Sequence, residues 1–240
     1  MSSANSRFKN FSEKYTFFKK LYFFYNIYIR NYKSYFQTSQ FEEDIEILKN
    51  FPKNYTGTYL DIGAFHPVKV SNTFKMHKLG WKGVNIDMNP LSIELFKFAR
   101  PKDVNICATI SNKESSQTMY FHHDLSPLNT IDKNHVKFLR NNFGIKNLQK
   151  KKIKTQKIDI ILKKHNLKKI DFFNIDIEGH ELEVIKSINF KQVDIKVICV
   201  EILNHNKFSK RKGESLLKFL KQKKYKLKFK SPVNYIFLKK

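Results

Sequence analysis

The chain has 240 residues, 41 % of them apolar, enough for one domain with a full core and a short appendage. Lys and Arg number 46 against 21 Asp and Glu, a formal net charge of +25. This composition excludes a chain too polar to fold, and no run approaches the ~18 apolar residues that would span a bilayer.

The charge has two readings. One is an anionic partner: nucleic acid, a membrane surface or an acidic glycan. The other is drift in an AT-rich coding sequence, which abundant Lys, Asn, Ile, Phe and Tyr and scarce Ala and Gly would match. Cys107 and Cys199 lie in apolar, strand-like runs and are expected as buried free thiols in a reducing compartment. No zinc-ligand spacing and no signal-peptide pattern is present, so a cytoplasmic location is expected, with peripheral membrane contact as an option.

Residues 1–38 differ from the rest, with thirteen Phe and Tyr, seven Lys and Arg, and one acid, Glu13. An aromatic and basic helical extension is expected there. It would either pack on the main domain (39–240) or lie on a membrane surface.

From about residue 55, apolar runs alternate with helical segments. Strands are expected at Tyr59–Gly63, Val84–Asp87, Val104–Ile110, Asp171–Ile175, Val193–Ile202 and Tyr235–Leu238, with an extra one at Gln117–His122. Helices are expected from a Ser71 or Asn72 cap to Leu79, at Ser92–Phe98, at His180–Ile188 and at Gly213–Lys223. The alternation implies a largely parallel α/β sheet with crossovers on both faces. The Lys-rich stretches 146–169 and 207–240 read as solvated faces.

Four motifs carry chemistry. Asp61-Ile62-Gly63-Ala64 follows a strand, and Gly63 permits a sharp turn and close approach of a ligand to the backbone. Phe65 and Val68 stand where a G-x-G-x-x-G phosphate loop needs glycines, which argues against a pyrophosphate cofactor. Asp87 ends the second strand about 20 residues later, where a carboxylate can accept hydrogen bonds from a ribose diol. Asp176 and Glu178 end an apolar strand expected beside the first. They are candidates for a base, a substrate contact or a hard metal ion, whereas Glu181 and Glu183 suit a helix N-terminus. Glu201 ends another apolar strand with His205 just beyond; both join Asp176 and Glu178 as catalytic candidates, and Asp176 with Glu201 is the candidate metal pair. His122-His123-Asp124 has metal-ligand residue types, but neighbouring strand residues face opposite ways, so no shared site is expected.

These residues resemble the FkbM family of methyltransferases over roughly 39–237. The resemblance rests on Ser39-Gln40 with Glu43-Asp44, Asp61-Ile-Gly-Ala, Ser71-Asn72-Thr73, Gly80-Trp81-x-Gly83 leading to Asp87, Thr155 in Lys-Thr-Gln-Lys-Ile-Asp, and Ile170-Asp171-Phe172 through Asp176-Ile-Glu178-Gly-x-Glu181. It implies a Rossmann-like seven-stranded methyltransferase sheet and an S-adenosylmethionine site at Asp61, Gly63, Ala64, Asn72, Asp87 and Ala108. It further implies O-methylation of a sugar, glycan or other small hydroxylated acceptor, with Mg2+ as a possible aid. The chain departs from the family at Glu42, where many relatives carry Gly, and in the Phe65-His66-Pro67 loop, where many have Asn and a second Gly. A nucleic-acid methyltransferase is the alternative enzyme, although the Asn/Asp-Pro-Pro-aromatic run of base-amino methylation is absent. A non-catalytic basic membrane-surface or scaffold protein is the alternative outside enzymes.

Overall fold

The structure is a computed structural model, and it describes residues 16–122, 126, 128–145, 148–202 and 207–240. The central sheet has seven strands: β1 (Thr58–Ile62), β2 (Lys82–Asp87), β3 (Val104–Cys107), β7 (Lys169–Ile175), β8 (Asp194–Glu201), β9 (Tyr225–Lys230) and β10 (Asn234–Lys239). Their spatial order is β3-β2-β1-β7-β8-β10-β9, parallel throughout except for β10, which runs antiparallel to both neighbours. In chain order this is 3-2-1-4-5-7-6. The first five positions follow a doubly wound dinucleotide fold, and the closing antiparallel hairpin departs from it. The expected seven-stranded sheet is therefore present, with the Asp171–Ile175 strand beside the first.

The central parallel strands β1, β7 and β8 are buried along nearly their whole length, as a sheet covered on both faces requires. One face packs Leu60, Ile86, Phe173 and Ile198 under α6 (Ile158–Lys164), α7 (Glu181–Ser187) and α8 (Lys207–Gln222). The other packs Tyr59, Phe172, Val197 and Ile236 against α2 (Glu43–Leu48), α3 (Phe74–Lys78) and Trp81, whose indole nitrogen donates to the Tyr55 carbonyl at 2.8 Å. Gly83 pairs with Tyr59 in the sheet, and a Cβ there would lie 2.2 Å from the Tyr59 ring, so the aromatic ring occupies the space a side chain would take.

Several elements differ from the sequence reading. The Val104–Ile110 run breaks at Ala108, whose N–H donates to the Asp87 carbonyl. Beyond the break, β4 (Thr109–Ser111) joins a second sheet of order β4-β6-β5, with β5 at Ser115–Phe121 and β6 at Gln149–Lys157. β6 lies inside a Lys-rich run expected only as a solvated face. Its lysines are exposed, and its pairing to β4 and β5 satisfies the backbone without burying them. The helix expected from Ser71 or Asn72 begins at Phe74, because both side chains are engaged elsewhere: Ser71 accepts from Arg100 and Asn72 donates to Asn174. Cys199 is buried as expected, but Cys107 is exposed at the end of β3. Edge strand β9 was not anticipated, and α8 starts six residues before Gly213.

Within the extension, α1 (Thr16–Phe24) continues through a π-helical turn at Tyr25–Arg30 and a 3-10 turn at Tyr32–Tyr35. Phe23 and Ile27 pack on Val68, Phe74 and Leu95, the last from α4 (Pro90–Ala99). Thus one side of this segment is a domain contact. The segment then leads to a buried carboxylate clamp. Asp44 accepts from Thr38 and Ser39, and Glu43 accepts from Ser231, Asn234 and the Phe41 N–H. These contacts account structurally for the Ser39-Gln40 and Glu43-Asp44 motif. Among the described residues no helix is long and apolar enough to cross a membrane.

Arg100, 1 % exposed, ties β1 to the start of α3 and to α4. Its guanidinium donates to Tyr59 Oη at 3.2 Å, Thr73 Oγ1 at 2.9 Å, Ser71 Oγ at 3.1 Å and the Pro67 carbonyl, and it lies over the rings of Phe74 and Phe96. Removing a buried, multiply bonded ion leaves its partners unsatisfied. Arg100→Ala is therefore expected to cost about 3 kcal/mol. In a domain of this size that is a drop of roughly 6–12 °C in melting temperature, measured by circular dichroism. Arg100→Lys should recover only part of it, since an ammonium cannot reproduce the planar fork.

Candidate active site

The parallel strands end on one side of the sheet, and the loops after β1, β2, β7 and β8 converge there around a cleft of about 620 Å³. Such carboxyl ends, at the point where strand order reverses, are where open α/β sheets bind ligands. Strand β1 turns at Gly63, which has φ +79°. A Cβ on Gly63 would lie 1.6 Å from the Asp176 carbonyl oxygen, so no other residue fits. Gly63 and Ala64 both donate their N–H groups to the Ile86 carbonyl, at 2.9 and 3.1 Å, pinning the turn to β2.

Asp61 lines the cleft but is itself buried and fully employed. It accepts from Thr73 Oγ1 and Asn174 Nδ2, both at 2.8 Å, and Asn72 Nδ2 in turn donates to Asn174 Oδ1 at 3.0 Å. Asp61 and Asn72 thus shape the wall through a polar chain that runs back to Arg100.

Asp87 ends β2. Its carboxylate accepts the Phe65 N–H at 2.8 Å and the Asn89 N–H at 2.7 Å, while Asn89 caps α4 by accepting from Leu91. Asp87 thus anchors the turn into α4 and also borders the cleft. Burial pushes the Asp87 carboxyl up to about 6. The Phe65-His66-Pro67 loop is held from behind. His66 Nδ1 accepts the N–H groups of Val68 and Lys69, and Nε2 faces Asn26 Oδ1 at 3.1 Å in the extension. Burial, with the nearby cation Lys69, pushes His66 down to about 3, so the ring is a neutral structural bracket.

Asp176 and Glu178 follow β7, and Glu201 ends β8. One oxygen from each of the three lies within 4.8 Å of the others. Burial pushes Asp176 up to about 6, opposed by its hydrogen bond with Glu201. Burial and then the neighbouring Asp176 charge hold Glu178 and Glu201 well above the ordinary carboxylate range. Glu178 adopts φ +57° and sits 3.2 Å from His135 Nε2, which projects from α5 (Lys133–Phe143). Glu181 stands apart from this cluster: its Oε1 accepts the N–H groups of Ile177 and Gly179 and shapes the turn into α7. Glu183 pairs with Lys212 at 3.1 Å, so both residues act at the helix N-terminus as expected.

The cleft brings together Asp61, Gly63, Ala64, Asn72, Asp87, Ala108, Asp176, Glu178 and Glu201. His205 lies outside the described residues, as do His123 and Asp124. The cleft also takes in Lys69, Met88, Asn129, His135 and Phe138, which sequence reasoning did not single out. Asp132, which caps α5 by accepting the Asn134 N–H, was a readable helix signal. Nothing local marked the face of that helix that would overhang a sheet formed by distant segments.

A doubly wound sheet with an antiparallel closing hairpin thus gathers a glycine turn without a phosphate loop, an acid at the end of the second strand and an acidic cluster at the ends of the fourth and fifth around one cleft. Residues 61–227 match the family described as the methyltransferase FkbM domain. The chain belongs to the FkbM methyltransferase family. A crystal structure of the methyltransferase FkbM from Methylobacillus flagellatus KT is similar at 12 % identity and a TM-score of 0.46, over 85 % of this chain and 49 % of that one. The chain thus spans about half the length of that protein. No curated protein matches it.

The two carboxyls near 6 set the pH dependence. Each has its proton affinity raised by folding, so it lends stability at acid pH that is lost as pH rises through about 6. An ionised carboxylate is acceptor-only, whereas protonation turns one oxygen into a donor. Ligand binding and turnover should therefore fall as pH drops through about 6, well above the ~4 of a free carboxylate, in a rate profile measured from pH 5 to 8.

Proposed function

We propose that the chain is an S-adenosylmethionine-dependent O-methyltransferase acting on a hydroxyl of a sugar, a glycan or another small hydroxylated acceptor. The observation that carries this reading is one cleft containing both a carboxylate at the end of the second strand and three clustered carboxylates at the ends of the fourth and fifth. The residues fit the cofactor. Gly63 and Ala64 offer backbone without side-chain bulk, Asp87 offers an acceptor for a ribose diol, and Ala108 leaves room beside it. When bound, S-adenosylmethionine supplies a methyl group on a sulfonium, an electrophile that needs no metal to activate it.

The chain's own contribution is to orient the acceptor and take its proton. An alcohol is a weak nucleophile at neutral pH, so a base near 6–7 is the useful one. The Asp176–Glu201 pair meets this need: Asp176 is pushed up to about 6 by burial, and its ionised carboxylate can receive the proton that leaves the hydroxyl. Glu178, paired with His135, borders the same space and is suited to hold a neighbouring acceptor hydroxyl. The overhanging α5 residues exclude water, which strengthens each of these interactions.

A second reading is favoured by the same three oxygens. A set within 4.8 Å suits a hard divalent cation such as Mg2+, and it would supply charge to ionise the hydroxyl in place of the base.

Two measurements test these assignments. Asp87→Asn should weaken S-adenosylmethionine binding about 10–100-fold by calorimetry, the worth of a charged hydrogen bond, and unchanged affinity removes Asp87 from the site. Asp176→Asn should leave that affinity within a few-fold while lowering turnover of labelled cofactor about 10²–10⁴-fold across an acceptor panel. Turnover abolished by a chelator and restored by Mg2+ would replace the base with the metal.

A further inference from the structure

The helical extension has two apolar faces. Phe23 and Ile27 face the domain, where Asn26 braces His66 and Lys19 pairs with Glu94 at 2.8 Å. The opposite face carries Phe17, Leu21, Phe24, Tyr28, Ile29 and Tyr32, all exposed. Phe17, Leu21, Phe24 and Tyr28 recur every three to four residues along α1 and into the π-helical turn, and Ile29 and Tyr32 continue the exposed stretch beyond them. Phe36 extends the row and is 89 % exposed. Rings along the row touch one another, Phe24 on Tyr28 at 5.1 Å, and Tyr28 in turn lies 6.1 Å from Tyr35, where the row meets the domain.

Soluble proteins scatter single apolar side chains over their surface; a continuous aromatic row is a contact surface. Its chemistry selects the partner. Lys20, Arg30 and Lys33 are exposed on the same segment, and residues 16–41 contain no Asp or Glu. Aromatic side chains interleaved with cations fit the headgroup region of a bilayer, where rings sit at the apolar boundary and cations meet anionic phosphates. A second copy of this chain would bring like charge against like charge on a molecule of +25. No described helix is long and apolar enough to cross a membrane, so the segment would lie in the surface plane.

We propose that the exposed face of residues 17–36 docks the protein on an anionic lipid bilayer surface. The opposite side of the same segment holds the Phe65-His66-Pro67 loop, and the chain beyond it places Gln40 and Lys69 on the cleft rim. Docking through this face does not depend on the identity of the methyl acceptor.

The test is flotation of the full chain with phosphatidylcholine vesicles, with and without phosphatidylglycerol. The protein should float with the anionic vesicles and much less with neutral ones, and added salt should weaken this binding. The triple variant Phe17→Ser, Phe24→Ser, Ile29→Ser should reduce partitioning at least ~10-fold with little change in melting temperature. Lys20→Glu with Lys33→Glu, which touches no buried contact, should do the same for anionic vesicles only. Absence of flotation, or flotation of the aromatic variant equal to the parent, overturns the proposal. So does a dimer by light scattering that the aromatic variant dissolves, because the face would then belong to a second copy.

Discussion

Two strand ends meet with no space between them at the centre of this fold. Gly63 turns away from β1 against the carbonyl of Asp176 at the end of β7, and the Asp176 N–H donates to the Ile62 carbonyl at 2.9 Å. The first and fourth sheet strands are thereby locked at their carboxyl ends, and the same turn is tied to β2 through Ile86. Everything that lines the cleft inherits its position from this junction. Asp87 is oriented by the Phe65 N–H just past the turn, and Asp176 is carried on the residue whose carbonyl fills the space beside Gly63. The close backbone approach also accounts for the buried carboxylates. Sheet and helices exclude water from the strand ends, and the acids respond by holding protons at higher pH.

Seven described non-glycine residues have positive φ, Val70 on the cleft wall among them, and three fall in motifs that the sequence singled out. Glu42, Phe65 and Glu178 have φ values of 62°, 54° and 57°. A left-handed conformation costs an ordinary side chain about 1–2 kcal/mol, so each must be held by its surroundings. Glu42 precedes α2, where the buried Glu43 and Asp44 carboxylates tie the chain down. Phe65 is held by Asp87 and by the His66 bracket behind it. Glu178 is followed by Gly179 with its own positive φ, and its carbonyl accepts from Thr130 at 3.1 Å. Two of the three fall where the sequence departs from glycine-bearing or Asn-bearing relatives. At these positions tertiary contacts supply the free energy that glycine would have saved.

Excess positive charge is handled at the periphery. The lysines of β6 face solvent, edge strand β9 carries Lys226, Lys228 and Lys230, and a Lys-rich edge resists pairing with another sheet. Lys212 is an exception, drawn inward to Asp132 at 3.1 Å and to the Gly179 carbonyl, where it fastens the helix after β8 to the acidic turn.

The sequence by itself determined the parallel core and the strand-end chemistry. Period and composition marked Tyr59, Val84, Phe172 and Val197 as strand residues, and Asp87, Asp176, Glu178 and Glu201 each announced themselves as charge at the end of an apolar run, where an acid needs a task. These are local signals, legible because burial of a strand demands apolar residues on both faces. Tertiary structure alone decided the rest. Asp61 and Asn72 read as ligand contacts, yet their polar atoms are bonded to residues some hundred positions away. β6 was hidden because a strand whose lysines face solvent has no apolar period, and His135 because a helix shows which face is apolar but not what lies opposite. Only the meeting of distant segments could set Gly63 against Asp176, bring three acids from two strands within reach of one another, and leave one face of the extension covered and the other bare.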